Sequence, residues 1–185
     1  NTFNLPTPAI AAGNKYFDAT IYAGSNSSQS ITNSGSFQPD LVWIKSRNTA
    51  DGHDLIDAVR GASQNIYSNT TAAEDTTARL TSFNNNGFTL AGGFGYTNAA
   101  GQNFVGWQWN AGGSTVSNTS GSITSSVRAN TTAGFSVLTF TGTGANATVG
   151  HGLCVAPSMI IVKNRPTAGN SWLVYHASVG NGSYL

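Results

Sequence analysis

Charge is what this chain has least of. Lys, Arg, Asp and Glu make up 8% of its 185 residues and leave a net charge of +1, where ordinary soluble domains carry roughly a quarter charged residues. No Lys/Arg cluster exists to grip a phosphate backbone or an anionic membrane surface, so nucleic acid is excluded as a partner. Cysteine is reduced to Cys154, which rules out an intrachain disulfide and any multi-cysteine zinc site. Its neighbours Leu153 and Val155 predict a small buried hydrophobe at that position. Apolar runs stay well short of the roughly 18 residues of a spanning helix, so no membrane insertion is expected. No basic-then-apolar leader is present and no Met precedes Asn1, which suggests part of a longer polypeptide.

What the chain does have is aromatic content and small polar residues. Nine Phe, six Tyr and four Trp within a 39% hydrophobic composition are enough to build a core. Solubility must come from uncharged groups, because Gly, Asn, Ser and Thr dominate the remainder. The apolar runs are short, rich in β-branched and aromatic residues, and punctuated by Gly, Asn and Ser, which predicts an all-β fold. Strands are expected near residues 17–23, 40–46, 54–59, 78–83, 87–91, 103–110, 121–128, 134–141, 158–164 and 171–176. Within 103–110, Phe104, Gly106 and Gln108 share one face while Val105, Trp107 and Trp109 share the other. The one helix candidate, residues 72–80, is interrupted by Thr76 and Thr77 and reduces to a turn or short helix.

Sliding the sequence against itself produces one strong match, at an offset of 135 − 17 = 118 residues. Phe17-Asp-Ala-Thr-Ile-Tyr-Ala-Gly24 falls over Phe135-Ser-Val-Leu-Thr-Phe-Thr-Gly142, and Gln38-Pro-Asp-Leu-Val-Trp-Ile-Lys-Ser-Arg47 over Ala156-Pro-Ser-Met-Ile-Ile-Val-Lys-Asn-Arg165. The match needs no gap from Phe17 to Ile56, after which a single-residue slip sets in. The expected organisation is a linker over 1–13, a first β-sandwich repeat over 14–113, a linker or hairpin over 114–133, and a second, incomplete β repeat over 134–185.

Few constellations offer chemistry. Asp51-Gly-His-Asp54 with Asp57 gathers three carboxylates and an imidazole, but lacks the spacing of a calcium loop, and its counterpart in the second copy holds Gly169, Ser171 and Trp172. A polar hairpin loop is the expected role, and no metal site or cofactor is assigned. Glu74 could face Asp54 or Asp57 as a carboxyl pair, yet no motif supports that pairing. No Gly-x-Ser-x-Gly elbow singles out a nucleophile, and the chain is read as non-catalytic. Lys45 and Arg47 recur as Lys163 and Arg165. Their stems are expected to cover a sheet edge while their charges discourage edge pairing, the alternative being contact with a neighbouring subunit. Trp107 and Trp109, with Phe94 and Tyr96 upstream, either fill a core or form a platform for sugar rings.

Together Phe37-Gln-Pro-Asp-Leu-Val-Trp-Ile-Lys-Ser-Arg47, Asn86-Gly-Phe-Thr-Leu90, Thr148-Val-Gly-His-Gly-Leu153 and Ala156 to Arg165 resemble an uncharacterised repeated domain in tail-fibre-like and other structural proteins of marine bacteriophages, including cyanophages. The resemblance implies a concanavalin or jelly-roll-like β-sandwich and a virion component, without a particular position on the particle; the leading reading of the chain is a module of a tail or capsid fibre involved in host attachment. It implies other virion proteins and copies of the chain itself as partners, with a host surface glycan as a further ligand. In that family the opening Asn4-Leu-Pro-Thr-Pro-Ala-Ile10 resembles the exit from a preceding SPRY-like sandwich. It supplies no catalytic residues. The binding candidates, read from the chain's own residues, are Tyr96, Trp107, Trp109, Lys45, Arg47, Lys163 and Arg165, for glycan or subunit contact. The rivals are a lectin-like glycan-binding module and a polysaccharide depolymerase.

Overall fold

The structure is a computed structural model that describes residues 12–180. The opening segment compared above with the exit from a preceding sandwich lies outside the described residues. A 3-10 turn, Gly13–Lys15, leads into strand β1 (Phe17–Ala23). There follow β2 (Gln29–Thr32), β3 (Leu41–Ser46), β4 (Asp54–Asp57), β5 (Ile66–Tyr67), β6 (Leu80–Asn84), β7 (Gly87–Leu90), a short helix Gly95–Asn98, and β8 (Asn103–Trp109). Beyond them lie β9 (Val116–Asn118), β10 (Ser125–Asn130), β11 (Phe135–Phe140), β12 (Met159–Val162) and β13 (Leu173–His176).

The chain is all-β, built from several antiparallel sheets. The largest has the order β1-β8-β3-β4-β5, and the three-stranded sheet β2-β7-β6 shares its core. The core contains Ile31, Phe88, Leu90 and Leu80 from the smaller sheet and Val42, Ile44, Ile56 and Phe104 from the larger. Each fully buried side chain of this size contributes roughly 1.5–3 kcal/mol. The alternation in β8 is the reason the two sheets can approach: Phe104, Gly106 and Gln108 are buried, and a Cβ at Gly106 would stand 3.1 Å from the Phe88 ring. Gln108 is satisfied inside, donating to Thr20 Oγ1 at 2.9 Å and accepting from Asn33 Nδ2 at 3.2 Å.

The β6–β7 turn depends on Gly87, whose φ of 152° L side chains rarely adopt. A Cβ there would fall 1.9 Å from the Ile31 carbonyl oxygen. Gly87→Ala is therefore expected to lower stability by about 2 kcal/mol through strain and forced separation of β2 from β7. Urea unfolding should register this as a lower midpoint with an unchanged slope.

Three sequence expectations are corrected. Residues 72–80 form no helix, because Asp75 Oδ1 accepts from the Thr77 N–H at 2.7 Å and Thr77 Oγ1 at 2.6 Å, giving the backbone a local alternative to helical bonding. Cys154 is exposed, not buried. Its φ of 62° marks a turn that sends Leu153 inward and leaves Cys154 and Val155 outside. Strands β2, β5 and β9 were not anticipated, since each has too few apolar residues to register as an alternating run.

Residues 114–133 hold β9 and β10, which join β11 in a sheet of order β11-β10-β9. Strands β12 and β13 form a separate two-stranded sheet. It pairs Met159 with His176, 118 residues beyond Leu41 and 119 beyond Asp57, which face each other across β3 and β4. The flanking bond also recurs: Ala58 N–H donates to Asp40 O, and Ala177 N–H to Ser158 O, both at 2.8 Å. Strand β2 has no such counterpart, since residue 149 forms only an isolated parallel bridge with Ile123.

Candidate functional site: the seam beneath the β12–β13 hairpin

The densest set of charged side chains lies where the β12–β13 hairpin meets the loop after β5. Asp57 begins it, at the end of β4, by accepting the N–H groups of Val59 and Arg60 at 3.0 and 2.9 Å. That turn brings Arg60 back on itself. Its Nε reaches Asp57 Oδ2 at 2.5 Å, its Nη1 reaches Glu74 Oε1 at 2.9 Å, and its Nη2 donates to Leu55 O at 2.9 Å. Glu74 also receives Arg165, with Nε to Oε1 at 3.0 Å and Nη2 to Oε2 at 2.7 Å. Burial opposes ionisation of Glu74, but the two guanidinium groups outweigh it and hold the carboxyl below its usual range. Arg165 is raised in turn, chiefly by its bonds to Glu74.

Backbone bonds close the same seam. Glu74 N–H donates to Arg165 O at 2.8 Å, and Gly169 N–H to Thr71 O at 2.9 Å. Trp172 Nε1 donates to Tyr67 O at 2.9 Å and to Thr70 O at 3.2 Å. A fork-to-fork ion pair and these neutral bonds fix the hairpin's position.

Behind the seam is a second cluster. Tyr67 OH and Arg79 Nη2 both donate to Asp75 Oδ2, at 2.8 and 2.7 Å. The Arg79 guanidinium lies over the Tyr67 and Tyr96 rings, 5.5 and 5.2 Å from their centroids. Burial alone would raise Asp75, but its bonds to Thr77, Tyr67 and Arg79 hold it well below the carboxylate range. Burial, reinforced by the bond to Asp75, pushes the Tyr67 hydroxyl up. Asp54 sits deeper, fully buried, with Arg79 Nη1 at 3.8 Å and no hydrogen bond to either oxygen.

The remaining sequence candidates are dispersed. Lys45 Nζ donates to the carbonyls of Ser46 and Thr49, the latter at 2.7 Å, and Lys163 Nζ to those of Asn164 and Asn170 at 2.9 and 3.1 Å. Both ammonium groups are thus tied to their own hairpin. Arg47 is exposed and, among the described residues, forms no ion pair; its N–H donates to Asn103 O at 2.7 Å. Trp107 meets Trp43 at 5.4 Å between centroids. Trp109 lies between Phe17 at 5.0 Å and Phe135 at 5.9 Å. These two Phe residues are the opening residues of β1 and β11, and with Gly13, Asn14 and Tyr16 they line an open cleft of about 470 Å³. Tyr96, Trp107 and Trp109 therefore each engage different rings.

The Asp51–Asp57 segment is likewise split. Asp51 accepts from Thr49 Oγ1 at 2.5 Å, Asp54 turns into the interior, and Asp57 is held by Arg60. No group of three or more His, Cys, Asp or Glu converges among the described residues. Nor do Asp54 and Glu74 face a shared cleft, since one is buried and the other is engaged by two arginines.

Sequence reasoning missed the roles of Asp40, Arg60, Asp75, Arg79 and Arg128. Asp40 Oδ1 accepts Arg128 Nη1 at 2.6 Å across 88 residues, a pairing with no local signature. The available signal was the internal match, in which Asp40 is replaced by Ser158 while the preceding proline persists as Pro157.

A family model described as a domain of unknown function, DUF7483, matches residues 12–185. No curated protein and no solved structure matches the chain.

Proposed function

We propose, from the premise that the chain belongs to the DUF7483 family, that it is a non-catalytic structural module whose units stack along an extended assembly. The observation that carries this reading is the asymmetry of the β12–β13 hairpin. Its inner side is locked to the first unit through Arg165, Glu74 and Trp172, while Met159 and Ile161 remain 51% and 54% exposed. Large apolar side chains left open beside a rigid seam suit continued stacking of units.

We read residues 14–113 as a two-layered β-sandwich of concanavalin type and the later strands as an incomplete copy of it. The shared core of the two sheets supports the first statement. The β12–β13 register, at offsets of 118 and 119 residues from β3–β4, supports the second. The setting we infer is a phage tail or capsid fibre, on the strength of the resemblance of the Pro39 to Arg47 and Pro157 to Arg165 segments to that class of repeat. Antibodies raised against the chain should then decorate the fibres of purified particles at regular positions. Particles that label with an antibody to a known fibre protein but not with this one would refute the setting.

The cleft beside Trp109 is the feature that favours the lectin-like rival. Phe17 and Phe135 already lie against that indole, which leaves little free ring for a sugar. A glycan array decides between the two readings: no saturable binding is expected.

A further inference from the structure

We propose that residues 92–97 form a pH-responsive cap over Asp54: when that carboxyl loses its proton, Arg79 is drawn inward to it, its hold on Tyr96 weakens and the cap loosens. The device goes beyond the structural-module reading and does not depend on it.

Asp54 stands opposite Ile44 on one side and Tyr67 on the other. Its side chain is fully buried and neither oxygen has a hydrogen-bond partner. A neutral carboxyl can persist in such a place, whereas a buried carboxylate needs donors. Arg79 Nη1 is buried, equally unpaired, and 3.8 Å from Asp54 Oδ2. Closing that gap to hydrogen-bond length takes a movement of about 1 Å. The Thr97 hydroxyl, within the cap, is another buried group without a partner.

The other titratable groups around Asp54 are committed elsewhere. From β1, Tyr22 OH donates to Thr97 O at 2.8 Å; from β5, Tyr67 OH donates to Asp75 Oδ2 at 2.8 Å. Asp75 holds Arg79 Nη2 at 2.7 Å, and its negative charge helps to retain the Asp54 proton. On β3, Lys45 Nζ is turned to the carbonyls of Ser46 and Thr49. Along its own strand, Asp57 is held by Arg60, and His53 precedes Asp54 as a partly exposed residue. Arg79 is thus the cation that an ionised Asp54 can recruit. The change falls near neutral pH, since burial pushes this carboxyl up to about 7.

The cap is pinned at its ends and lightly held between them. Ala91 N–H donates to Arg79 O, and Asn98 Nδ2 to Ala91 O, both at 2.9 Å. Between these points Gly93 has a φ of 83°, and a Cβ at Gly93 or Gly95 would meet nothing within 4 Å. The middle is held by Gln102, whose amide lies 3.1 Å from Gly95 O, and by Tyr96. The Tyr96 ring meets Tyr67 edge-on at 6.0 Å and carries the Arg79 guanidinium 5.2 Å from its centroid. Tyr96 is 38% exposed, on the solvent side of that guanidinium, while Asp54 lies on the interior side. One planar group makes both contacts, so its movement toward Asp54 is a movement off the Tyr96 ring.

Amide exchange of the 185-residue chain from about pH 6 to about pH 8 tests the coupling. The readout is protection at Thr97 and Asn98, whose N–H groups donate to Phe94 O at 3.3 and 2.8 Å. It should fall about tenfold across that range, after allowance for intrinsic exchange and for any change at Phe88 and Leu90 in the core. Asp54→Asn should keep the protection constant, and His53→Gln should leave the fall in place. Tyr96→Leu should show low protection at the acid end already, with no further fall. The carbon shift of the Asp54 carboxyl, followed on the same sample, reports its ionisation. Titration of that carboxyl without a response of the cap amides, or no titration in this range, would overturn the proposal. So would a fall that survives in Asp54→Asn or disappears in His53→Gln.

Discussion

Asp40→Ala is expected to lower stability by about 3–5 kcal/mol, the cost of breaking a buried ion pair by removing one partner. The Asp40 side chain is fully buried and joins three segments. One oxygen receives Arg128 Nη1 at 2.6 Å; the other accepts the N–H groups of Ala111 and Gly113 at 2.6 and 3.1 Å. Arg128 retains only Thr115 Oγ1, 2.8 Å from its Nε. Alanine would strand a largely buried guanidinium and the amide of fully buried Ala111. Each group left unpaired costs about 1–3 kcal/mol. Asp40→Asn keeps an acceptor for the amides but loses the charge, so it should fall between alanine and wild type. Urea unfolding of the two variants, with Arg128→Met to complete a cycle, measures the coupling. A loss below about 1 kcal/mol for alanine would mean that the sheet formed by β9, β10 and β11 is held by something other than this pair.

Most strands of the fold were legible, because alternation in segments such as Phe104 to Trp109 reports which residues enter the core. The internal match was equally visible, since Pro39, Lys45 and Arg47 meet Pro157, Lys163 and Arg165 at one offset. The seam was not. Arg165 and Glu74 are 91 residues apart, and long-range ion pairs leave no periodic trace. Reading Lys163 as an edge guard overlooked that a lysine at a strand end can turn back onto its own hairpin carbonyls. Asp54 opens the strand expected over 54–59, yet its grouping with Asp51, His53 and Asp57 as a polar loop hid the direction of its side chain. It belongs to β4, where it shares a face with Ile56, so the burial of Ile56 draws a carboxylate inward.

That inward carboxylate should govern how stability depends on pH. Burial pushes Asp54 up to about 7 from an ordinary value of 3.8; Asp75 adds to the rise and Arg79, 3.8 Å away, opposes it. Tyr22 is also near, but its hydroxyl donates to Thr97 O at 2.8 Å and gives Asp54 nothing. Because the folded state holds this proton more tightly than the unfolded chain, stability should fall as pH rises from about 4 to about 7 and level off above that. A shift of this size corresponds to an upper limit of about 4 kcal/mol. Asp75 and Glu74 act in the opposite sense: their folded values are depressed, so their contribution is complete above about pH 4 and is lost as pH falls below it. The two trends place the stability maximum in mildly acid solution, near about pH 4–5. Asp54→Asn removes the charge yet leaves Arg79 paired with Asp75. It should raise stability at about pH 8 by about 2–4 kcal/mol and abolish the decline between pH 4 and 7. Denaturant unfolding across that range tests this directly. A flat wild-type profile, or a variant less stable than wild type at alkaline pH, would show that Asp54 is ionised in the fold and stabilised by Arg79 despite its burial.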